Sequence, residues 1–455
     1  MFLEKGRSEG LAHLSYIFGD GDSAAVIDPR RDCLVYREIA DREGVRITRI
    51  FETHRNEDFV IGSCDLAAIT GATICHGAGL PFAYGETVAD GDSFEFGNFS
   101  LRILTTPGHT DESISLVLAD REFTDHPLAV FTGDALFIGD VGRTDFFPNR
   151  AKEVAGTLYD SIFDKLLPLG DHVLLYPAHG AGSVCGSGMA SREFSSLGYE
   201  RLYNPALQVE DRETFIRNKL NEKHHMPPYF RQMENLNLNG PPLLKAIPNP
   251  IPFSAKDFSS QMEQGMIVID TRSPEAFSGA CIPGSLAIPH DMIAAYAGWF
   301  LPYDVGIGLV VENFEDIDAT IRSLVRLGYE SIIGYLGDGL HGWEVGGFPY
   351  ERIPAVHAVD LKERMEQDRA FTLLDVRKDE EVASAMLPGS THIFLGELPD
   401  RLDEIPRERP IITFCGSGRR AIIGASILKR HGFEKVENCL GSLAACLKVG
   451  CEIIT

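Results

Sequence analysis

The chain is 455 residues long with 44% hydrophobic content, enough for ample core and, at roughly 100 to 200 residues per domain, for about two to four domains. Its 42 basic against 66 acidic residues leave a formal charge of -24, which repels phosphate backbones and anionic lipid surfaces and argues against nucleic acid as a partner. No stretch approaches the roughly 20 apolar residues that span a bilayer, the opening MFLEKGRSEG lacks a signal peptide's apolar core, and nine scattered cysteines without a CxxC pair fit neither a disulfide framework nor a zinc knuckle. A cytoplasmic protein without a membrane partner is expected, in which any cysteine that matters acts as a thiol.

From LSYIFGDGDSAAVIDPRRD to LLYPAHGAG, short apolar strands alternate with Gly/Asp turns, and CLVYREIADREG has helical periodicity. The pattern predicts a mixed α/β sheet domain. Several of its strands run into polar turns bearing metal-ligand residue types. ITRIF leads into ETHRNEDF, with His54, Asn56, Glu57, Asp58 and Phe59. TTPGHTDES supplies His109, VFTGDALF supplies Asp134, GDVGRTDF supplies Arg143, and LLYPAHGAG supplies His179. Cys185 follows on the glycine-rich HGAGSVCGSG. His126 and the pair His224-His225 stand outside any such spacing and read as surface residues.

This order of motifs resembles that of the metallo-β-lactamase superfamily, whose usual first motif is His-x-His-x-Asp-His. The resemblance implies an αββα fold. In a two-zinc hydrolase of that superfamily, His54, residue 56 and His109 would surround one metal. Asp58, residue 59 and His179 would surround the other, with Asp134 bridging. Phenylalanine cannot ligate and an amide replaces imidazole poorly on zinc, so Phe59 and Asn56 break the two-metal cage. The subset His54, His109 and Asp134 survives. The superfamily's persulfide dioxygenases use that subset and have a stretch similar to GDVGRTDF. This closer resemblance implies one Fe(2+) per chain, with positions open for substrate and O2. It makes Arg143 the residue to grip an anionic thiol substrate, and Cys185 an acceptor or relay of persulfide sulfur. Asp58 and His179 would hold a water or orient an imidazole. Plain loop polarity for Asp58 and His179, and a small buried turn residue for Cys185, are the alternatives.

A charge-rich, helix-like segment runs on to about residue 235, and NGPPLLKAIPNPIPF then brings five prolines together, as in an extended linker. Beyond it lies an internal repeat. IVIDTRSPEAFSGACIPGS aligns without gaps on TLLDVRKDEEVASAMLPGS, matching Asp270 with Asp375 and Arg272 with Arg377. The expected division is 1–240, a linker at 241–253, and two α/β repeats with parallel sheets at 254–352 and 355–455.

In the second repeat the strand IITF runs into CGSGRRA and a helical pattern. Loop amides and a helix N-terminus stabilise negative charge, so Cys415 is set where a thiolate is favoured, and Arg419 and Arg420 add positive field. The loop Cys415, Gly416, Ser417, Gly418 resembles the active-site loop of rhodanese-like sulfurtransferases, and the Asp-x-Arg and Pro-Gly-Ser stretches of both repeats fit that family. The resemblance makes Cys415 the persulfide carrier, Arg420 its catalytic partner, and Gly416, Ser417, Gly418 and Arg419 the substrate cradle. Repeat spacing puts Val311 opposite Cys415, beside Glu312, Glu315 and Asp316, so the first repeat is expected to be a non-catalytic spacer or docking domain. Cys281, outside the loop position, reads as structural.

Together these resemblances imply a bifunctional sulfur enzyme. It would oxidise a low-molecular-weight thiol persulfide with O2 to sulfite and exchange sulfane sulfur between Cys415 and sulfite or thiosulfate. Joining both sites on one chain would raise each one's effective concentration for the other's product. A homo-oligomer is implied by family resemblance only. The rival readings are a dinuclear-zinc thioester hydrolase of the glyoxalase II type and a non-oxidising sulfur carrier or sensor.

Overall fold

Period-two alternation in the strand His13–Asp20 sends Tyr16 and Phe18 to one face and Ile17 to the other. Tyr16 and Phe18 join Phe51, Leu101, Leu116 and Phe131 in one core, while Ile17 joins Val26, Tyr36, Ile50 and Leu66 in another. The first core lies between two sheets. One has six strands in sequence order, from Phe2–Ser8 to Glu86–Val88. The other has five, ordered Leu174–Pro177, Pro127–Gly133, Ile114–Asp120, Phe99–Thr105, Ser93–Phe96. Helices Leu34–Glu43 and Ser63–Thr70 cover the outside of the first sheet, and Ala151–Asp160 with Arg212–Asn221 covers the outside of the second. The result is the four-layer αββα arrangement. Helix Leu34–Glu43 buries Tyr36 and Ala40, one turn apart, and stops at Gly44, whose φ of 69° completes a left-handed cap.

This computed structural model describes residues 1–454 except 123, 125, 187, 368 and 369. It divides into two compact units, Met1–Ile247 with Val325–Gly328, and Pro248–Leu324 with Tyr329–Thr455. Among the described residues, no helix is long and apolar enough to cross a membrane.

The second unit contains two five-stranded parallel sheets of the same topology. One is ordered Ile251–Phe253, Ile332–Leu336, Ile307–Val310, Ile267–Asp270, Leu286–Ala287. The other is ordered Ala355–Val356, Val436–Cys439, Ile411–Phe414, Thr372–Asp375, Thr391–His392. The proline run is not linker to its end: Ile251–Phe253 pairs in parallel with Ile332–Leu336. As the edge strand it tolerates Pro252, whose missing N–H costs no ladder bond.

Repeated sequence becomes repeated geometry here. Arg272 Nη2 lies 2.6 Å from Asp270 Oδ2 and 2.7 Å from the Ala280 carbonyl, and Arg377 makes the same contacts with Asp375 and Ala385 at the same distances. Both pairs are buried. The Asp-x-Arg motif is thus a clip that fixes the turn after the strand, present whether or not a cysteine follows. Register pairs Asp270 with Val310 and Asp375 with Phe414, so Val311 and Cys415 occupy equivalent positions just past their strands.

Candidate active sites

In the first unit the strands deliver the sequence-marked residues from their C-terminal ends. Arg46–Glu52 leads into His54, Phe99–Thr105 into His109, Pro127–Gly133 into Asp134, and Leu174–Pro177 into His179. The structure brings all four side chains together, each at most 2% exposed. His54 Nε2 and His109 Nε2 lie 3.7 Å and 3.5 Å from the same oxygen, Asp134 Oδ2. Among the described residues, none of these three buried atoms has a hydrogen-bond partner.

Both ring orientations are dictated by the other nitrogen. The Thr53 hydroxyl donates to Asp28 Oδ2 at 2.7 Å, leaving its oxygen to accept from His54 Nδ1 at 2.9 Å. His109 Nδ1 donates to the Arg143 carbonyl at 3.0 Å. Each imidazole therefore turns an Nε2 lone pair into the cavity, as a metal ligand must. Burial pushes His54 down to about 4, which keeps that lone pair free. Burial alone would raise the Asp134 carboxyl, but His179 and His54 outweigh it and hold it well below the usual range. Burial opposes charge on the His109 ring, but Glu57 and Asp134 overcome it and raise the ring above its ordinary value, so a cation would displace a proton there. Two imidazole Nε2 atoms and one carboxylate oxygen gathered in this way fit a divalent cation. A Cβ on Gly142 would stand 2.0 Å from the Asp134 carbonyl oxygen, so only glycine lets the GDVGRTDF loop close over this centre.

Removing the Thr53 hydroxyl tests the orienting chain. Thr53→Val is expected to weaken metal binding by about 10- to 100-fold, read by competition with a chromophoric chelator, because His54 loses the bond that sets its tautomer.

His179 is differently committed. Its Nδ1 meets Asp134 Oδ1 at 2.7 Å and its Nε2 meets Asp58 Oδ2 at 3.1 Å. Burial opposes a charge there, but Asp134 and Asp58 overcome it and raise the ring well above its ordinary range. As an imidazolium it has no lone pair for a second metal. Phe59 fills the neighbouring space, its ring 4.1 Å from that of His13. Asn56 turns its amide nitrogen back to the His54 carbonyl at 3.3 Å. Cys185 does reach the cavity. A ligand atom of His109, one of Asp134 and the Cys185 sulfur lie within 4.8 Å of one another, as do Asp58, His179 and Cys185. Burial, with Asp134 and Asp58 adding to it, pushes this thiol well above its ordinary value.

Arg143 corrects the expectation of a substrate grip. It is 1% exposed, forms two 2.6 Å bonds to Asp145, and donates to the Val184 and His225 carbonyls at 3.3 and 3.5 Å. With its guanidinium over Phe146, it braces the loop whose carbonyl orients His109.

In the second unit Cys415 is 1% exposed directly after the strand Ile411–Phe414. The Gly418 amide donates to Cys415 Sγ at 3.1 Å, and Gly418, at φ 94°, caps the helix Arg419–Arg430. Ser442 Oγ accepts from the Cys415 amide at 3.1 Å, which pins the loop from below. Gly416 is half-buried and Ser417 exposed. The two arginines part company. Arg420 makes a bidentate pair with Glu381 at 2.6 and 2.7 Å, while Arg419 reaches out to Asp291. The first repeat borders this loop, since Asp291, just before its helix Ile293–Phe300, is the residue that Arg419 pairs with, and burial pushes the Tyr296 hydroxyl of that helix up to about 12. Cys281, paired through its backbone with Glu351, is buried away from that loop.

Residues 9–179 match the metallo-beta-lactamase superfamily and residues 357–448 the rhodanese-like domain. Persulfide dioxygenase ETHE1, mitochondrial, of Homo sapiens is 32% identical over 235 residues, 50% of this chain and 78% of that protein. The chain belongs to the persulfide dioxygenase family. Its C-terminal part is 34% identical to the putative sulfurtransferase YtwF of Bacillus subtilis over 20% of this chain and 89% of that one. A metallo-beta-lactamase crystal structure from Staphylococcus aureus is 31% identical with a TM-score of 0.67, covering 74% of this chain and 98% of that one. The chain is thus a persulfide dioxygenase family member that carries a rhodanese-like domain.

Two features of this family member escape a reading by motif. Asn237, on the helix Phe230–Asn239, donates to the Asn56 and Phe59 carbonyls at 2.7 and 2.8 Å and accepts from the Ile61 amide at 3.0 Å, clamping the His54 loop from far along the chain. Glu57 lies inside the motif, wholly buried, with Oε2 3.6 Å from His109 Nε2.

Proposed function

We propose that the chain oxidises a low-molecular-weight thiol persulfide with O2 to sulfite at a mononuclear ferrous centre, and that Cys415 exchanges sulfane sulfur with sulfite to form thiosulfate. The observation that carries the reading is the group of unpartnered atoms His54 Nε2, His109 Nε2 and Asp134 Oδ2 in one buried cavity. The overall balance is RSS⁻ + O2 + H2O → RS⁻ + SO3²⁻ + 2H⁺. A ferrous ion held by three protein ligands keeps positions open and supplies the one-electron chemistry that lets a thiol persulfide react with dioxygen.

The chain's own residues do the rest. Thr53 and the Arg143 carbonyl fix the two imidazoles, and the His179 imidazolium holds Asp134 from behind. Phe146 stands edge-on to His109 and, with Phe230 against it, walls the cavity from water. Cys185, whose sulfur lies within 4.8 Å of ligand atoms of His109 and Asp134, would accept or hand on sulfane sulfur there. At the second site, sulfite attacks the outer sulfur of a Cys415 persulfide. The bond to Sγ breaks, thiosulfate leaves, and the thiolate left behind receives the Gly418 N–H. Arg420, steadied by Glu381, supplies positive charge for these anions.

A dinuclear-zinc thioester hydrolase is the poorer reading, because Phe59 cannot ligate and both nitrogens of His179 face carboxylates. All nine cysteines are free thiols, which suits the cytoplasmic setting proposed here. Anaerobically iron-loaded protein given a low-molecular-weight persulfide should consume oxygen and release sulfite and thiosulfate whose sum equals the oxygen consumed. Absence of uptake would remove the dioxygenase reading.

A further inference from the structure

The metal cavity holds a second carboxylate that a set of two imidazoles and one aspartate does not use. Glu57 is wholly buried. One of its oxygens, Oε1, receives Arg55 Nη2 at 3.4 Å, and that guanidinium is shared with Glu234 at 2.9 Å. The other, Oε2, has no hydrogen-bond partner among the described residues. It lies 3.6 Å from His109 Nε2, and ligand atoms of His54, Glu57 and His109 fall within 4.8 Å of one another. His109 Nε2 therefore stands between two unpartnered carboxylate oxygens, Glu57 Oε2 at 3.6 Å and Asp134 Oδ2 at 3.5 Å. Ligand bonds of about 2.0–2.2 Å put adjacent donor atoms roughly 3 Å apart, so the spacings of Glu57 and Asp134 to His109 Nε2, 3.6 and 3.5 Å, need to close by about half an ångström around a cation.

Burying a carboxylate without full hydrogen bonding is costly, and Arg55 reaches only one of its oxygens. A cation on the cavity side would relieve the cost. We propose that Glu57 is a metal ligand, giving the resident cation a set of two imidazoles and two carboxylates. Two carboxylates would balance the charge of a divalent ion and supply hard oxygen donors of the kind that suit iron or manganese. Held by four protein ligands, such a cation would still have room for substrate. The inference rests on the single-metal dioxygenase reading and makes its ligand set specific.

The test is Glu57→Gln in the full chain, which keeps the shape and removes the charge. The Fe(II) dissociation constant, from competition with a chromophoric chelator, is expected to rise by about 10- to 100-fold. The visible absorption of the Co(II)-substituted protein should change with it. Glu57→Asp, which keeps the carboxylate but withdraws it, should fall between the two and serves if the glutamine variant does not fold. Sulfur transfer by Cys415 should be unchanged and reports that the chain is folded. An Fe(II) dissociation constant within twofold of the parent, with an unaltered Co(II) spectrum, would overturn the assignment. Neither readout needs turnover. A shifted dissociation constant in a protein that consumes no oxygen would support the ligand and sink the dioxygenase reading instead.

Discussion

Asp134→Asn is expected to lower persulfide-dependent oxygen uptake by more than about 100-fold, beyond the roughly 10- to 100-fold effect typical of residues that only orient a ligand. The substitution keeps the shape of the side chain and removes the charge that three imidazoles surround. Asp134 Oδ2 is the atom that both His54 Nε2 and His109 Nε2 face, and Asp134 Oδ1 accepts from His179 at 2.7 Å. With an amide in its place, a divalent cation would meet neutral donors on that side and the His179 imidazolium behind them, so metal content should fall together with activity. Elemental analysis and an oxygen electrode on one preparation read both quantities. Retained sulfur transfer by Cys415 would show that the loss is local. Full uptake by a metal-replete Asp134→Asn variant would remove Asp134 from the centre.

Cys415→Ser is expected to give the reciprocal pattern. Transfer of sulfur to sulfite or cyanide should fall by at least about three orders of magnitude, because a hydroxyl cannot carry sulfane sulfur. Oxygen uptake should stay within about twofold of the parent chain, since none of the residues assigned to the metal cavity changes. Mass spectrometry of the parent after exposure to thiosulfate should find one extra sulfur on the peptide containing Cys415 and none on it in the variant. If transfer survived in Cys415→Ser, another thiol would be the carrier, with Cys185 the first to examine.

Local rules made much of the architecture legible. Apolar runs between Gly/Asp turns marked the strands of the first domain, and the helical periodicity of CLVYREIADREG marked the helix Leu34–Glu43. Repeat alignment placed Val311 and Cys415 at equivalent strand ends, and the strand registers place them there too. Strand-end motifs singled out His54, His109 and Asp134, whose side chains the fold gathers. What stayed hidden depends on contacts remote in sequence or on competition between neighbours. Nothing around GDVGRTDF says that Asp145 takes the guanidinium of Arg143 and closes it to substrate. Asn237 acts on Asn56 across 181 positions, and Asp291 reaches Arg419 beside the Cys415 loop from the other repeat. Glu57 was in plain view, but a motif defined by histidines asks nothing of the residue between Asn56 and Asp58. Pro252 marked a linker by composition, although an edge strand accepts the same residue.

The central claim is a single iron that oxidises persulfide in the cavity of His54, His109 and Asp134. It is tested most directly by measuring metal content and persulfide-dependent oxygen consumption on the same anaerobically purified sample. One iron per chain, with oxygen uptake proportional to iron across partially loaded preparations, is the predicted result. Two zinc ions per chain, with no oxygen uptake on adding persulfide, would contradict it.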